Sequence, residues 1–133
     1  MAGELELGKI LRHLAPRLDD VLYEFIVVPR DQICQVEVLD VFALIQEEEG
    51  ATLIRPLSKT GPTDDGQENC FAHLVLGVHS SLHGVGLSAT VSSALASEGI
   101  SCNVVAGYYH DHLFVPCPDA KRALKVLQHL VTD

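Results

Sequence analysis

Val78–Pro116, VHSSLHGVGLSATVSSALASEGISCNVVAGYYHDHLFVP, is the stretch whose reading decides the fold. It reads as a strand end, a polar loop, a helix, a strand, a polar turn and a further strand. Leu87, Val91, Ala94 and Leu95 share one helical face, while Ser88, Ser92 and Ser93 fall largely on the others. Gly99 stands where helices commonly end in a left-handed residue. ISCNVVAG and LFVP have the β-branched and aromatic content of strands, and YYHDH makes the polar connection between them. The unusual chemistry gathers here as well. His79 and His83 lie in one polar loop, His110 lies in the other, and His112 begins the strand that follows.

On the C-terminal side, Pro118-Asp119 open a last helix, with Asp119 a good N-cap. Ala120, Ala123, Leu124, Leu127, Leu130 and Val131 give that helix an apolar stripe. On the N-terminal side, CFAHLVLGV is an apolar run of strand length, expected to be buried on both faces. The order from Cys70 onward is therefore β-α-β-β-α, a split βαβ unit lacking its final strand.

Pro56–Glu68, PLSKTGPTDDGQE, is turn-rich and marks a linker. Before it, Leu7, Ile10, Leu11 and Leu14 trace a helical face, and Pro16 stops or kinks that helix. Asp19-Asp20 are expected to turn the chain into the strand VLYEFIVVP. Arg30–Val38 reads either as a strand edge or as a loop. Val41–Gln46 and Thr52–Arg55 read as short strands around an acidic turn at Gly50, with a helix through Ala43–Glu48 as the competitor. This half is α-β-β-β and lacks an initial strand. The expected architecture is α+β, a ferredoxin-like βαββαβ arrangement built from two degenerate halves packed together. Residues 1–60 form the N-terminal half, 61–69 the linker and 70–133 the C-terminal half.

The 133 residues are 47% apolar and 20% charged, the composition of a soluble globular chain. A formal charge of -9 with only 9 Lys and Arg argues against nucleic acid, whose binding rests on neutralising phosphates. MAGELELGK has no signal-peptide pattern, and no apolar run approaches the roughly 20 residues of a membrane helix. The expectations are a cytoplasmic location, no membrane partner, and four widely spaced cysteines present as reduced thiols.

Gly86 at the head of the helix, with the His79–Val85 loop before it, is the first candidate site. Amides at a helix N-terminus favour an anionic group, and His79, Ser80, Ser81 and His83 add donors beside Val85. The plain alternative is a turn that needs glycine for its dihedrals. Tyr109, His110, Asp111 and His112 carry more donors and acceptors than a chain reversal requires. His110 and His112, two apart, would point to one side of an extended segment, a spacing compatible with a divalent metal. No Cys or His pair stands at zinc-finger spacing, and no metal site or cofactor is assigned. Ser80 or Ser81 with His110 and Asp111, or Cys102 with a loop histidine, can be drawn as catalytic sets. No GxSxG elbow accompanies them, and no catalytic residue is assigned.

Val85–Ala106, VGLSATVSSALASEGISCNVVA, resembles the ACT domain signature: Gly86 heading the first helix, small and apolar residues along Ala89–Leu95, then Gly99-Ile100 and Asn103 in the second strand. Val85 replaces the usual proline. The wider run, with the acidic EEEGATL segment of the first half, is similar to small stand-alone ACT-like proteins of mostly unassigned function. Pro56–Glu68 departs from them, being a loop where a short helix is expected. The resemblance implies a regulatory module that binds an amino acid or similar metabolite, acts as a homodimer, and uses Asn103 to reach a ligand. The alternatives are a structural or protein-interaction module without ligand, and a metal-dependent enzyme using the loop histidines.

Overall fold

A computed structural model of the chain describes residues 8–9, 11–57, 66–78 and 86–131. It divides into two compact units: one formed from the residues up to Asp20 together with those from Ala72 onward, the other from Val21–Phe71. The strand β1 (Pro16–Val28) contributes its first residues to one and its remainder to the other.

The first unit orders its strands β1, β4 (Phe71–Leu76), β6 (Asp111–Pro116), β5 (Asn103–Ala106). Its helices are α1 (Leu87–Ser97) and α2 (Ala120–Val131). Strand alternation sorts the side chains. Ala72, Leu74 and Leu76 of β4 and Leu113 and Val115 of β6 join Leu87, Val91 and Leu95 of α1 and Ala123 and Leu127 of α2 in one buried cluster. His73 and Phe114 occupy the opposite face, and both are buried. The expected burial of this strand on both faces is what the structure shows, from Ala72 to Leu76.

α1 ends as its sequence predicts. Gly99 takes φ 72°, its N–H reaches the carbonyl of Ala96 at 2.9 Å, and the N–H of Ile100 reaches Leu95 at 3.0 Å. These are the two bonds of a Schellman ending, and the accompanying apolar contact is supplied by Leu95 and Ile100, both in the core.

Residues 8–9 and 11–12 are helical and Pro16 begins β1, so the proline does end the helical segment. The expected turn at Asp19-Asp20 is corrected: both lie inside β1. The physical reason is the face each residue takes, since Leu18 packs on the core while Asp19 meets His73 on the other side.

The second unit orders its strands β2 (Ala43–Gln46), β3 (Ala51–Pro56), β1, all antiparallel. The acidic turn at Gly50 joins β2 and β3, so the helix through Ala43–Glu48 does not form. The segment left open between strand and loop is neither; it forms two 3-10 turns, Arg30–Gln35 and Val38–Asp40. Tyr23 against Phe42 and Phe25 against Phe71 make edge-to-face pairs at 5.7 and 5.0 Å. Asn69 closes a gap in backbone pairing, since its amide donates to the carbonyl of Phe25 and accepts from its N–H, each at 2.9 Å.

Candidate functional site

The chemistry of the first unit centres on His73, a lone polar residue in an otherwise apolar strand. Its ring is 4% exposed, so both nitrogens need partners. Nδ1 lies 3.0 Å from Oδ2 of Asp19 on β1, and Nε2 lies 2.9 Å from Nδ1 of His112 on β6. The two histidine rings lie within 24° of parallel, and Phe114 stacks on His73 at 5.0 Å and 13°.

Asp19 accepts from Nδ1–H of His73. Between Nε2 of His73 and Nδ1 of His112 one nitrogen carries the hydrogen and the other accepts it. Burial, and then the nearby His73, His110 and Arg17, hold the His112 imidazole below its ordinary pKa. Gly107 sits against this ring: a Cβ there would fall 3.2 Å from Nε2 of His112 and 2.8 Å from the carbonyl of His110. The same carbonyl accepts the N–H of Gly107 at 2.9 Å and closes the turn.

Asn103 pairs with Phe114 and Val105 with His112 across β5 and β6, which puts Asn103 on the histidine face. Its side-chain amide donates to the carbonyl of Phe114 at 3.4 Å and is otherwise open to solvent. Tyr109 is 66% exposed and packs edge-on against Tyr108 at 5.1 Å. His110 lies in the turn and not on the strand, so the pairing of His110 and His112 on one extended face is corrected; Nδ1 of His110 is buried and makes no hydrogen bond. Asp111 is 9% exposed, and burial pushes its carboxyl above the usual range. Gly86 takes φ 102° at the head of α1, a left-handed conformation that a side chain would strain, and as glycine it offers no side chain to the first amides of the helix. His79, Ser80, Ser81, His83 and Val85 lie outside the described residues.

The structure thus brings Asn103 and His112 onto one face with two residues that the sequence reading passed over, Asp19 and His73. A histidine inside an apolar run was the available signal for His73, because a buried imidazole demands partners. Asp19 had no such signal.

Among the described residues no group of three or more His, Cys, Asp or Glu side chains is placed to hold a metal ion. Burial pushes the Cys102 thiol up to about 11, which disfavours its thiolate at neutral pH. Cys34 and Cys102 are free, whereas Cys70 and Cys117 are disulfide-bonded. This corrects the expectation of four reduced thiols, since spacing along the chain does not report distance in space. No helix among the described residues is long and apolar enough to cross a membrane.

Two family models, each described as an ACT domain, match residues 2–60 and 71–129. No curated protein matches the chain. A solved structure from Vibrio cholerae, a protein of unknown function described as a possible transport protein, is 36% identical, covering 98% of this chain and 99% of its own, with a TM-score of 0.81. The ligand-free regulatory subunit of aspartate kinase from Thermus thermophilus superposes with a TM-score of 0.62 at 14% identity, over 87% of this chain and 97% of that one. Escherichia coli aspartokinase III, in complex with aspartate and ADP, gives 0.56 at 16% identity over 90% of this chain and 33% of the enzyme. The last two likenesses are of fold alone.

Proposed function

Because this chain belongs to the ACT-domain family, whose members are typically regulatory modules that bind small molecules, we propose that it senses an amino acid or a similar metabolite and has no catalysis of its own. The observation that carries this reading is Gly86. It takes its left-handed conformation at the head of α1, inside the matched segment, and as a glycine it places no side chain of its own on the electropositive helix end. The His79–Val85 loop would hold the carboxylate end of the ligand there, and Asn103 with Tyr109–His112 would meet the remainder.

Thermal unfolding against individual amino acids tests this. A ligand at ~100 times its dissociation constant adds about 2.7 kcal/mol if it binds only the folded state. Gly86→Val or Asn103→Ala should abolish that shift while leaving a cooperative transition. A ligand-induced shift that persists in both variants sinks the site, and a flat panel sinks the reading.

The division into 1–60, 61–69 and 70–133 is supported by the two separate family matches. A homodimer is supported by apolar side chains left in solvent. Leu39 is 91% and Val38 72% exposed in the second unit, and Tyr108 is 71% exposed in the first. The same observation favours the interaction-module reading, in which assembly occurs without ligand. A cytoplasmic location is likewise proposed, and the disulfide-bonded Cys70 and Cys117 weigh against it, because such bonds are rare in reducing compartments. Alkylation of thiols at the moment of lysis, followed by mass analysis, decides the point: Cys70 and Cys117 alkylated throughout means a reducing compartment.

A further inference from the structure

Val38 and Leu39 stand side by side on a 3-10 turn of the second unit, 72% and 91% exposed. The turn is held from within: the N–H of Asp40 reaches the carbonyl of Glu37 at 3.0 Å, and that of Val41 reaches Val38 at 3.4 Å. It buries no side chain. Residues three apart eclipse on such a turn, so Glu37 and Asp40 fall on one side of the two aliphatic groups. Among the described residues neither carboxylate has a hydrogen bond or an ion pair. The turn is an apolar knob with two unpaired carboxylates beside it.

The first unit carries a surface of the opposite character. A groove of about 380 Å³ is lined by residues of α1 and α2. Its half-buried lining is Ala94, Val126 and Leu130. Arg122, Lys125 and His129 are its exposed cationic or basic groups, and Glu98 is the single acid of the lining. Asp119 and the Glu98 carbonyl already engage Arg122, and the Lys125 carbonyl engages His129. The ammonium of Lys125 is exposed, as is that of Lys121, one turn earlier on the same face. Neither has an ion pair among the described residues. From Ala120 to Val131, α2 contains no acidic residue.

Charge is divided as unevenly between the units. Val21–Phe71 holds ten acidic and three basic side chains, a net -7 of the -9 carried by the whole chain. Two second units therefore repel, whereas the second unit of one copy is drawn to the cationic helix of another. We propose that the Val38–Leu39 turn of one copy docks in the α1–α2 groove of a second copy. Val38 and Leu39 cover Ala94, Val126 and Leu130, and Glu37 and Asp40 meet Lys121 and Lys125. The two surfaces are unlike, so the contact is heterologous. Two copies that exchange it close a pair; otherwise it builds a ring or a chain, which a two-fold contact of like surfaces does not. The proposal rests on the self-association reading above and adds to it the two surfaces that meet.

Sedimentation velocity on a dilution series of the whole chain, at one fixed ionic strength, tests it. Leu39→Asp, and Lys121→Glu with Lys125→Glu, change exposed positions and should keep a cooperative thermal transition. Leu39→Asp should weaken association about 10- to 100-fold, the range for one leucine side chain left unburied. Lys121→Glu with Lys125→Glu should weaken it at least about 5-fold, since attractions become repulsions. A labelled mixture of the two variants should nevertheless form a one-to-one complex, because the first keeps its groove and the second its turn. Adding Glu37→Lys and Asp40→Lys to the reversed groove should restore association. Association unchanged in both variants overturns this contact and leaves the homodimer to other surfaces. A loss in Leu39→Asp with none in the lysine variant, or a mixture that fails to pair, overturns the groove. A wild-type chain that stays monomeric at every concentration overturns the contact and the self-association reading together.

Discussion

His73 has two ring nitrogens and a partner for each, and a buried residue so placed is hard to replace. His73→Ala removes both bonds and leaves a void beside Phe114, so it should cost about 2–4 kcal/mol in urea unfolding; a loss below about 0.5 kcal/mol would show that the bonds carry no net stability. The neighbouring titrations have opposite signs. His112 is held below its ordinary value of 6.5, so the unfolded chain takes up its proton first. Stability is then complete above that value and declines as pH falls from it through the lowered folded value. His112→Gln should flatten this part of the profile, and an unchanged slope would assign it elsewhere. Asp111 is raised above 3.8, so its contribution is greatest in acid and is lost as pH rises through the folded value. Asp111→Asn should therefore gain stability at neutral pH, with the gain fading toward acid. Thiol chemistry separates the two free cysteines. Exposed Cys34 should react with iodoacetamide far faster than Cys102, whose pKa is pushed up to about 11; equal rates by mass spectrometry would contradict the burial.

At the scale of elements, α2 attaches to its unit through Ala123 and Leu127, both fully buried, while Lys121, Arg122 and Lys125 of the same helix stay outside or half-buried. Arg122 ties the start of that helix to the end of α1, donating to the carbonyl of Glu98 and pairing with Asp119. The pair is half exposed and adds little; the apolar stripe is what holds the helix. Leu127→Ala should cost about 2–5 kcal/mol, read as a shift in the denaturation midpoint at constant slope, whereas Arg122→Ala should stay within about 1 kcal/mol. The reverse ranking would mean that the helix is held by charge. Gly107 belongs to the β5–β6 turn, where an added Cβ meets the His110 carbonyl and the His112 ring. Gly107→Ala should therefore displace the His112 resonances by NMR, and an unshifted spectrum would show that the turn relaxes without disturbing the array.

For the whole molecule, charge opposes self-association and exposed apolar surface favours it. With a formal charge of -9, two copies repel at low ionic strength, and salt screens that repulsion more than it weakens apolar contact. Light scattering on a dilution series should show a dimer that tightens as salt rises; a monomer at every concentration and salt would end the homodimer reading. Much of the architecture was legible in advance. The serine-studded helix with its Leu87, Val91, Leu95 stripe, the Gly99 ending, the buried run of β4 and the β2–β3 hairpin follow from periodicity and from local backbone preference, both written within a few residues. The order of elements and the ACT resemblance rest on the same short-range information. The polar constellations do not. Asp19 lies 54 positions from His73, and His73 lies 39 from His112; Glu24 meets Arg55 across 31. Outside Pro16–Asp20, Arg30–Asp40 and the Ala43–Glu48 segment that the sequence left open, sequence alone determined which segments are strands and helices and which faces are apolar, because those depend on spacing along the chain. Only the tertiary structure decided which buried polar groups meet. That depends on strand order and register, and a shift of one residue would send Asp19 or Glu24 to the other face.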